Sequence, residues 1–493
     1  MVALGLIVTA LAGFWRDRNG VMTEAVTIDS TPATIFRHGN APAPVVLIAH
    51  GFAGSQQLMQ AFALTVARNG LIAVTFDFLG HGRNPAPLRG NVNELNGATR
   101  ALVEQTERMI AFTRRIGDGR IALLGHSMAS DVIIRAAQAE PDIAAVVAIS
   151  AFSQVVTADT PRNLLLIAGE WEGYLSDAAL KLVAQSSGPS RPEAGVTYGS
   201  FGNGTARRFV SAPYVEHVSV LYSAVSLAET QAWLAEVFGV KASAEPVRTG
   251  QWIALLLLGL ILSARPIAGL LPVVSVPGIG GGLGWRRFWL VLLGPALATP
   301  LLLRVLPTHF LPILVADYLA THFALYGLMT VLLWRMVRPA PGEPISPLPW
   351  RVASAAVGAL LITFGGLFLA IDHFVTAIAP IPARLVLISV LLAGTLSFFV
   401  ATEWVTRGPH AARGATWVLP LAFLVSLALA VALDLKRLFF LAIIVPVIVP
   451  FLVVFTLFGT WVYRRTGHPL AGAIANAIAF AMAIGATFPM MTG

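Results

Sequence analysis

A chain of 493 residues that is 56% hydrophobic and only 12% charged, with a mean hydropathy of +0.75, is not a water-soluble globular protein throughout, so a membrane portion is expected. The net charge of +8 comes without a basic stripe interleaved with aromatics, which argues against nucleic acid as a partner. The absence of cysteine excludes disulfides, thiolate metal sites and a cysteine nucleophile.

Residues 1–19 open with an apolar run followed by Arg16 and Arg18, read as a signal anchor or the remnant of one; Ala10-Leu11-Ala12 also allows a cleaved signal. Residues 20–240 then carry ordinary polar punctuation. Segments 25–29 and 33–37 form a hairpin, and 45–49 is a buried parallel strand that runs into His50-Gly51-Phe52-Ala53-Gly54. A helix over 56–68, a strand over 71–76 and a Gly-rich loop over 77–84 precede a long amphipathic helix over 95–115. Strands at 121–124, 144–149, 163–168 and 207–211 follow, with helices at 128–139 and 218–238 and a surface loop at 188–205. Alternating strands and helices imply a mostly parallel sheet with helices on both faces. The short connection between residues 149 and 163 leaves no room for a helical lid, so an open site is expected.

The stretch 123–130, LLGHSMAS, sets Ser127 between Gly125 and Ala129, after an apolar strand and before a helix. Such a turn lifts a serine hydroxyl above the sheet edge, and its tightness demands small flanking residues. A serine nucleophile needs a base, an acid to hold the base, and donors for the oxyanion. His217, late in the chain within VEHVSV, is the candidate base, and Glu172 in GEWEG, after the strand at 163–168, is the candidate acid with Glu170 as runner-up. The oxyanion donors would be the backbone N–H groups of Phe52 and Met128.

Through HGFAG at 50–54, DFLGHGRN at 77–84, GHSMAS at 125–130, GEWEG at 169–173 and EH at 216–217, the chain resembles the α/β-hydrolase superfamily. Within it, the branch of serine aminopeptidase and monoacylglycerol-lipase-like enzymes is the most similar. The resemblance covers roughly residues 24–240 and implies the α/β-hydrolase fold and an acyl-enzyme mechanism. In that family the position of Glu172 is usually aspartate, and the positions of His50 and His126 are structural. Asp77, His81 and Arg83 are expected to tie down their own turn. The function expected is a membrane-anchored serine ester hydrolase acting on lipid-like or other hydrophobic acyl esters, with neither cofactor nor metal; peptide cleavage is the lesser expectation. The alternative is a non-catalytic sensor or ligand-binding domain on a transporter-like or scaffold membrane domain.

After a linker at 241–250, residues 251–493 hold apolar segments near 252–264, 288–306, 309–336, 352–372, 384–403, 416–433, 438–463 and 469–490, each close to the length a bilayer needs. Arg286, Arg287, Arg335, Arg338, Arg351, Arg407, Arg413, Arg464 and Arg465 fall in one set of connections, and Arg304, Arg384, Lys436 and Arg437 in the other. The positive-inside rule makes the first set cytoplasmic and puts the globular half on the non-cytoplasmic side of a bacterial-type cytoplasmic membrane. Ionisable residues within the apolar runs are Asp317, His322, Asp372, His373, Glu403 and Asp434, with helix ends the expected place for Asp372, His373 and Asp434. Glu403 with Arg407-Gly408, the turn 464–467 and Asn476 weakly resemble the CAAX-protease family of intramembrane metalloproteases. Thr402 and Asn476 replace its first glutamate and a histidine ligand, so a zinc site is not expected.

Overall fold

A computed structural model describes residues 1–91, 94–187, 191–242, 244–338 and 349–492. Its sheet follows from the apolar runs. β3 (Val45–Ala49), β4 (Ile72–Phe76), β5 (Ile121–His126), β6 (Ala145–Ile149) and β7 (Leu164–Gly169) are buried along their whole length, as strands covered on both faces must be. With the hairpin β1 (Met22–Ile28) and β2 (Thr31–Arg37), β8 (Thr197–Tyr198) and β9 (Arg207–Ala212), they form one nine-stranded sheet in the order β1-β2-β4-β3-β5-β6-β7-β9-β8. Strands β4, β3, β5, β6, β7 and β9 run parallel, so their carboxyl ends share one edge.

Helices α2 (Gln60–Arg68) and α6 (Ala224–Phe238) bury apolar faces on one side of the sheet. α3 (Arg100–Ile116), α4 (Met128–Ala139) and α5 (Gly173–Ser187) do so on the other. The helix expected over 95–115 begins with a distorted turn in which Gly97 leaves helical geometry, and only from Arg100 is it regular. α5 was not anticipated. The loop expected over 188–205 carries β8 in its described part; residues 188–190 lie outside the described residues.

Among the described residues, eight helices are long and apolar enough to cross a membrane. They lie within α7 (Thr249–Ile267), α8 (Trp285–Leu303), α9 (Ala316–Val337), α10 (Pro349–Leu360) running on into α11 (Gly366–Phe374), α12 (Leu385–Thr406), α13 (Ala415–Leu433), α14 (Leu435–Thr466) and α15 (Pro469–Thr487). Small residues let the helices approach: Gly394 of α12 lies on the backbone of Ala320 in α9, and Gly327 of α9 lies on Ser397. Phe323, Phe398 and Phe423 pack together at the centre, with ring centroids 4.5 to 5.2 Å apart. The amino-terminal helix α1 (Val2–Arg18) packs along α7, where Gly13 makes room for Trp252. Buried Asp17 accepts hydrogen bonds from the Arg248 N–H (3.0 Å) and the Trp252 Nε1–H (3.0 Å), capping the start of α7.

The two halves meet at the carboxyl edge of the sheet. The Leu88 N–H donates to Met490 O (2.8 Å), the Met490 N–H to Gly80 O (2.9 Å) and the Thr492 N–H to Leu88 O (2.9 Å). Buried Arg384 donates to Gly80 O (2.6 Å) in one half and to Gly485 O (2.8 Å) and Phe488 O (2.7 Å) in the other. Arg83 pairs with Asp372 at 2.7 Å, and the Phe52 ring lies 4.6 Å from that of Phe440 at the head of α14.

Candidate active site

Ser127 joins β5 to α4 with φ 54° and ψ −119°, a left-handed conformation that costs a non-glycine residue energy and recurs where a side chain must be presented. Its neighbours hold it there. The Ser127 N–H donates to Ile149 O (2.8 Å), and its carbonyl accepts from the Ser130 N–H (2.9 Å) and hydroxyl (2.6 Å). A Cβ on Gly125 would come within 2.9 Å of the Ala129 carbonyl, which is why the position before the turn carries no side chain.

His217, in the loop after β9, has Nε2 2.8 Å from Ser127 Oγ and Nδ1 2.6 Å from Glu172 Oε1. The second oxygen of Glu172 accepts from Ser150 Oγ and the Gly169 N–H, both at 2.7 Å. Burial raises the pKa of this carboxyl, but hydrogen bonds from His217, Gly169 and Ser150 together outweigh it and hold the pKa below the ordinary value. Glu170 is elsewhere: its Oε2 accepts the Tyr214 N–H (2.8 Å) and braces the loop before His217. Of the two glutamates proposed from sequence, the structure brings Glu172 to the imidazole. Ser150 went unrecognised, because its contact depends on β6 and β7 being neighbours and no motif marks it.

A Cβ on Gly51 would lie 3.1 Å from the Ser127 Cβ, so the end of β3 passes directly beside the serine and the Phe52 backbone follows it. Met128 is the first residue of α4, where an N–H has no intrahelical acceptor. His126 donates from Nε2 to the His217 carbonyl (2.8 Å) and thereby sets the loop that carries the imidazole. Burial, and secondarily the nearby His217, holds the pKa of His126 down to about 3. His50 accepts the Phe78 N–H at Nε2 (3.1 Å) and donates from Nδ1 to Gly51 O (2.8 Å), orienting both loops. Asp77 accepts from the N–H groups of Gln56 (2.8 Å) and Arg83 (3.0 Å), and His81 Nδ1 donates to Leu79 O (2.9 Å), so both tie down the turn. The Arg83 backbone does the same, but its guanidinium reaches across to Asp372.

The expectation of an open site needs correction. The connection from β6 to β7 indeed lacks a helix, yet Phe440, the extended segment 488–492 and the 372–377 turn pack over the loops at the ends of β3 and β4. Beyond them the edge is bare: Phe152, Trp171, Tyr174 and Tyr214, after β6, β7 and β9, are exposed.

Within the bundle, Glu403 pairs with Arg407 (2.7 Å), which also donates to Thr460 (3.1 Å), and Asn476 donates to Phe455 O (3.1 Å). Asp317 accepts the N–H groups of Phe310 (3.1 Å) and Tyr318 (2.8 Å), His322 Nε2 lies 3.1 Å from Ser426 Oγ, and Asp434 accepts the Arg437 N–H (3.2 Å). Each of these side chains has a structural partner, while His322 Nδ1 and Asn476 Oδ1 are buried without one. No cluster of three or more His, Asp or Glu able to hold a metal occurs among the described residues.

The strand order, the parallel core and the strained serine turn between β5 and α4 give the amino-terminal half the α/β-hydrolase fold. Residues 40–192 match the model of the family described as serine aminopeptidase, S33. Among solved structures, the chain is similar to dienelactone hydrolase from Anabaena variabilis, at 16% identity over 45% of this chain and 97% of that one (TM-score 0.33). It is similar to a bacterial membrane phospholipase A at 14% identity over 48% and 93% (TM-score 0.32), and to epoxide hydrolase from Vigna radiata at 22% over 27% and 40% (TM-score 0.22). No curated protein matches the chain.

Proposed function

We propose that this protein is a membrane-anchored serine hydrolase that cleaves carboxylic esters of hydrophobic or lipid-like acyl groups. The observation that carries the reading is the continuous hydrogen-bonded line Ser127 Oγ, His217, Glu172, with links of 2.8 and 2.6 Å. In the forward step Ser127 Oγ attacks the acyl carbon while His217 Nε2 takes its proton. Glu172, kept ionised by its three donors, stabilises the imidazolium and holds its tautomer. The N–H groups of Phe52 and Met128 meet the oxyanion. His217 then protonates the departing alcohol, and a water, deprotonated by the same nitrogen, releases the acid from the acyl-enzyme.

The exposed aromatic rim after β6, β7 and β9 and the bundle beside Phe52 favour an apolar acyl group over a peptide. Sidedness follows from charge. The helix ends that touch the hydrolase half carry Arg304, Arg384, Lys436 and Arg437, whereas Arg286, Arg287, Arg335, Arg338, Arg351, Arg407, Arg413, Arg464 and Arg465 lie at the opposite ends. That asymmetry supports a hydrolase on the non-cytoplasmic side. The test is labelling of the intact protein by a fluorophosphonate probe: the wild type takes the label and Ser127→Ala does not. Equal labelling of the two overturns the reading.

A further inference from the structure

The hydrolase half rests on the heads of the spans at two places along one edge of its sheet. At the first, Phe52 after β3 meets Phe440 of α14, and Gly80 and Leu88 after β4 bond to Met490 and Arg384. At the second, the chain that leaves β9 reaches Tyr222, which packs on the cluster of Ala10, Phe14, Ile253 and Leu256 between α1 and α7. The approach there is close, since a Cβ on Gly250, the second residue of α7, would come within 2.5 Å of the Tyr222 Cβ. In the sheet order β4-β3-β5-β6-β7-β9, the loops after β5, β6 and β7 lie between these two supports. The six strands are parallel, so those loops leave the same edge. Both supports hold that edge at the level of the helix heads, and the loops between them face the plane in which the spans leave a bilayer.

Large exposed side chains on a surface in water are ordinarily scattered, but here four aromatics share one edge. Phe152 after β6, Trp171 and Tyr174 after β7, and Tyr214 after β9 are 48%, 68%, 74% and 80% exposed. Phe152 and Tyr174 lie ring over ring with centroids 6.4 Å apart, so the residues form a patch rather than isolated points. Phe, Tyr and Trp suit the boundary of a bilayer because the ring is apolar while the Tyr hydroxyl and the Trp N–H still reach headgroups and water. Charge narrows the partner further. Segments 150–157, 169–174 and 212–219 contain no Lys or Arg, whereas Glu170, Glu172 and Glu216 lie within them, so this is not a surface that attracts a polyanion. The patch also continues the seat of the hydrolase half on the spans, which selects the lipid around those spans as its occupant. We propose that Phe152, Trp171, Tyr174 and Tyr214 are a docking surface for the headgroup layer of the leaflet from which the hydrolase half projects. Ser127, after β5, stands between the part of the edge that the bundle covers and the part that lipid covers. The bilayer itself then closes the site on its bare side.

This inference rests on the spans lying in a bilayer and needs no turnover at Ser127, so its failure and that of the ester-hydrolase reading are read separately. The chain has no cysteine, and a single introduced thiol therefore takes a fluorescent label without competition. Full-length Trp171→Cys and Tyr214→Cys, each labelled, are placed in phosphatidylcholine nanodiscs in which part of the lipid carries a nitroxide quencher. Ala41→Cys, exposed before β3 at the opposite edge of the sheet, is the control. Loss of emission is expected at positions 171 and 214 and not at 41. It should be greatest with the nitroxide on the headgroup, smaller with it at the end of the acyl chain, and insensitive to salt, since no basic group takes part. Adding Phe152→Ser and Tyr174→Ser to Trp171→Cys is expected to weaken the quenching, because two of the docking rings are gone. Emission at 171 and 214 that matches the control overturns the docking. Labels that are shielded from aqueous iodide yet not quenched by the lipid also overturn it, by marking a contact between protein molecules. Quenching that survives both serine substitutions undiminished overturns the role of the aromatics, leaving the bundle alone to hold the edge near lipid.

Discussion

Glu172 and Glu170 sit two residues apart at the end of one strand and meet different partners, because the chain turns between them. Glu172→Gln removes the charge that faces the imidazole and is expected to lower kcat on a short ester by about a thousandfold or more. Glu170→Gln, which weakens a loop contact, is expected to stay within about twofold; steady-state kinetics on the two variants distinguishes them. A second prediction comes from His126 and His81. Burial holds both pKa values down to about 3, against about 6.5 when unfolded. Between these limits the unfolded chain binds more protons, so the stability that depends on these neutral rings is complete above about pH 6.5 and is lost on acidification toward pH 3. Thermal melting between pH 4 and 7 is expected to fall steadily with pH. His126→Gln is expected to reduce the slope by about one proton, or about 1.4 kcal/mol per pH unit.

The serine turn is an element whose shape depends on what is missing. Since a Cβ at Gly125 would meet the Ala129 carbonyl at 2.9 Å, Gly125→Val must push α4 away from β5. The expected cost is about 1–3 kcal/mol, with labelling of Ser127 lost as well; a thermal shift together with fluorophosphonate labelling reads both. This turn was plain in the sequence, as were the buried strands, because an apolar run, a Gly-x-Ser pattern and a helical period are all local. α5 was not, since its run from Gly173 to Ser187 mixes short apolar and polar residues with no strong face. Spans α7 to α15 were readable from length and hydropathy. What covers the site was not, because Arg83 with Asp372, or Phe52 with Phe440, are pairs that only the tertiary fold brings together.

At the scale of the whole molecule the halves are joined by buried polar contacts rather than by a loose linker. Arg384 gives hydrogen bonds to three carbonyls drawn from both halves; Arg384→Leu would leave those of Gly485 and Phe488 without that donor, while Gly80 O keeps only the Met490 N–H. At about 1–3 kcal/mol for each buried group left unpaired, the loop 77–88 is expected to open. Limited proteolysis of the intact protein in detergent should then cut within that loop in the variant and spare it in the wild type. Arg83→Ala, which removes a half-exposed ion pair worth about 0–1 kcal/mol, should change the cleavage pattern little.

The same joint imposes an order on biosynthesis. The loop 80–88 leaves the ribosome early, but its partners Met490 and Thr492 are made only after α15. Ser127, His217 and Glu172 can therefore come together in the growing chain, while the loop beside them waits for α15 to be made. A chain stalled before α15 would then hold Ser127, His217 and Glu172 together beside a loop that still lacks its backbone partners at 490 and 492.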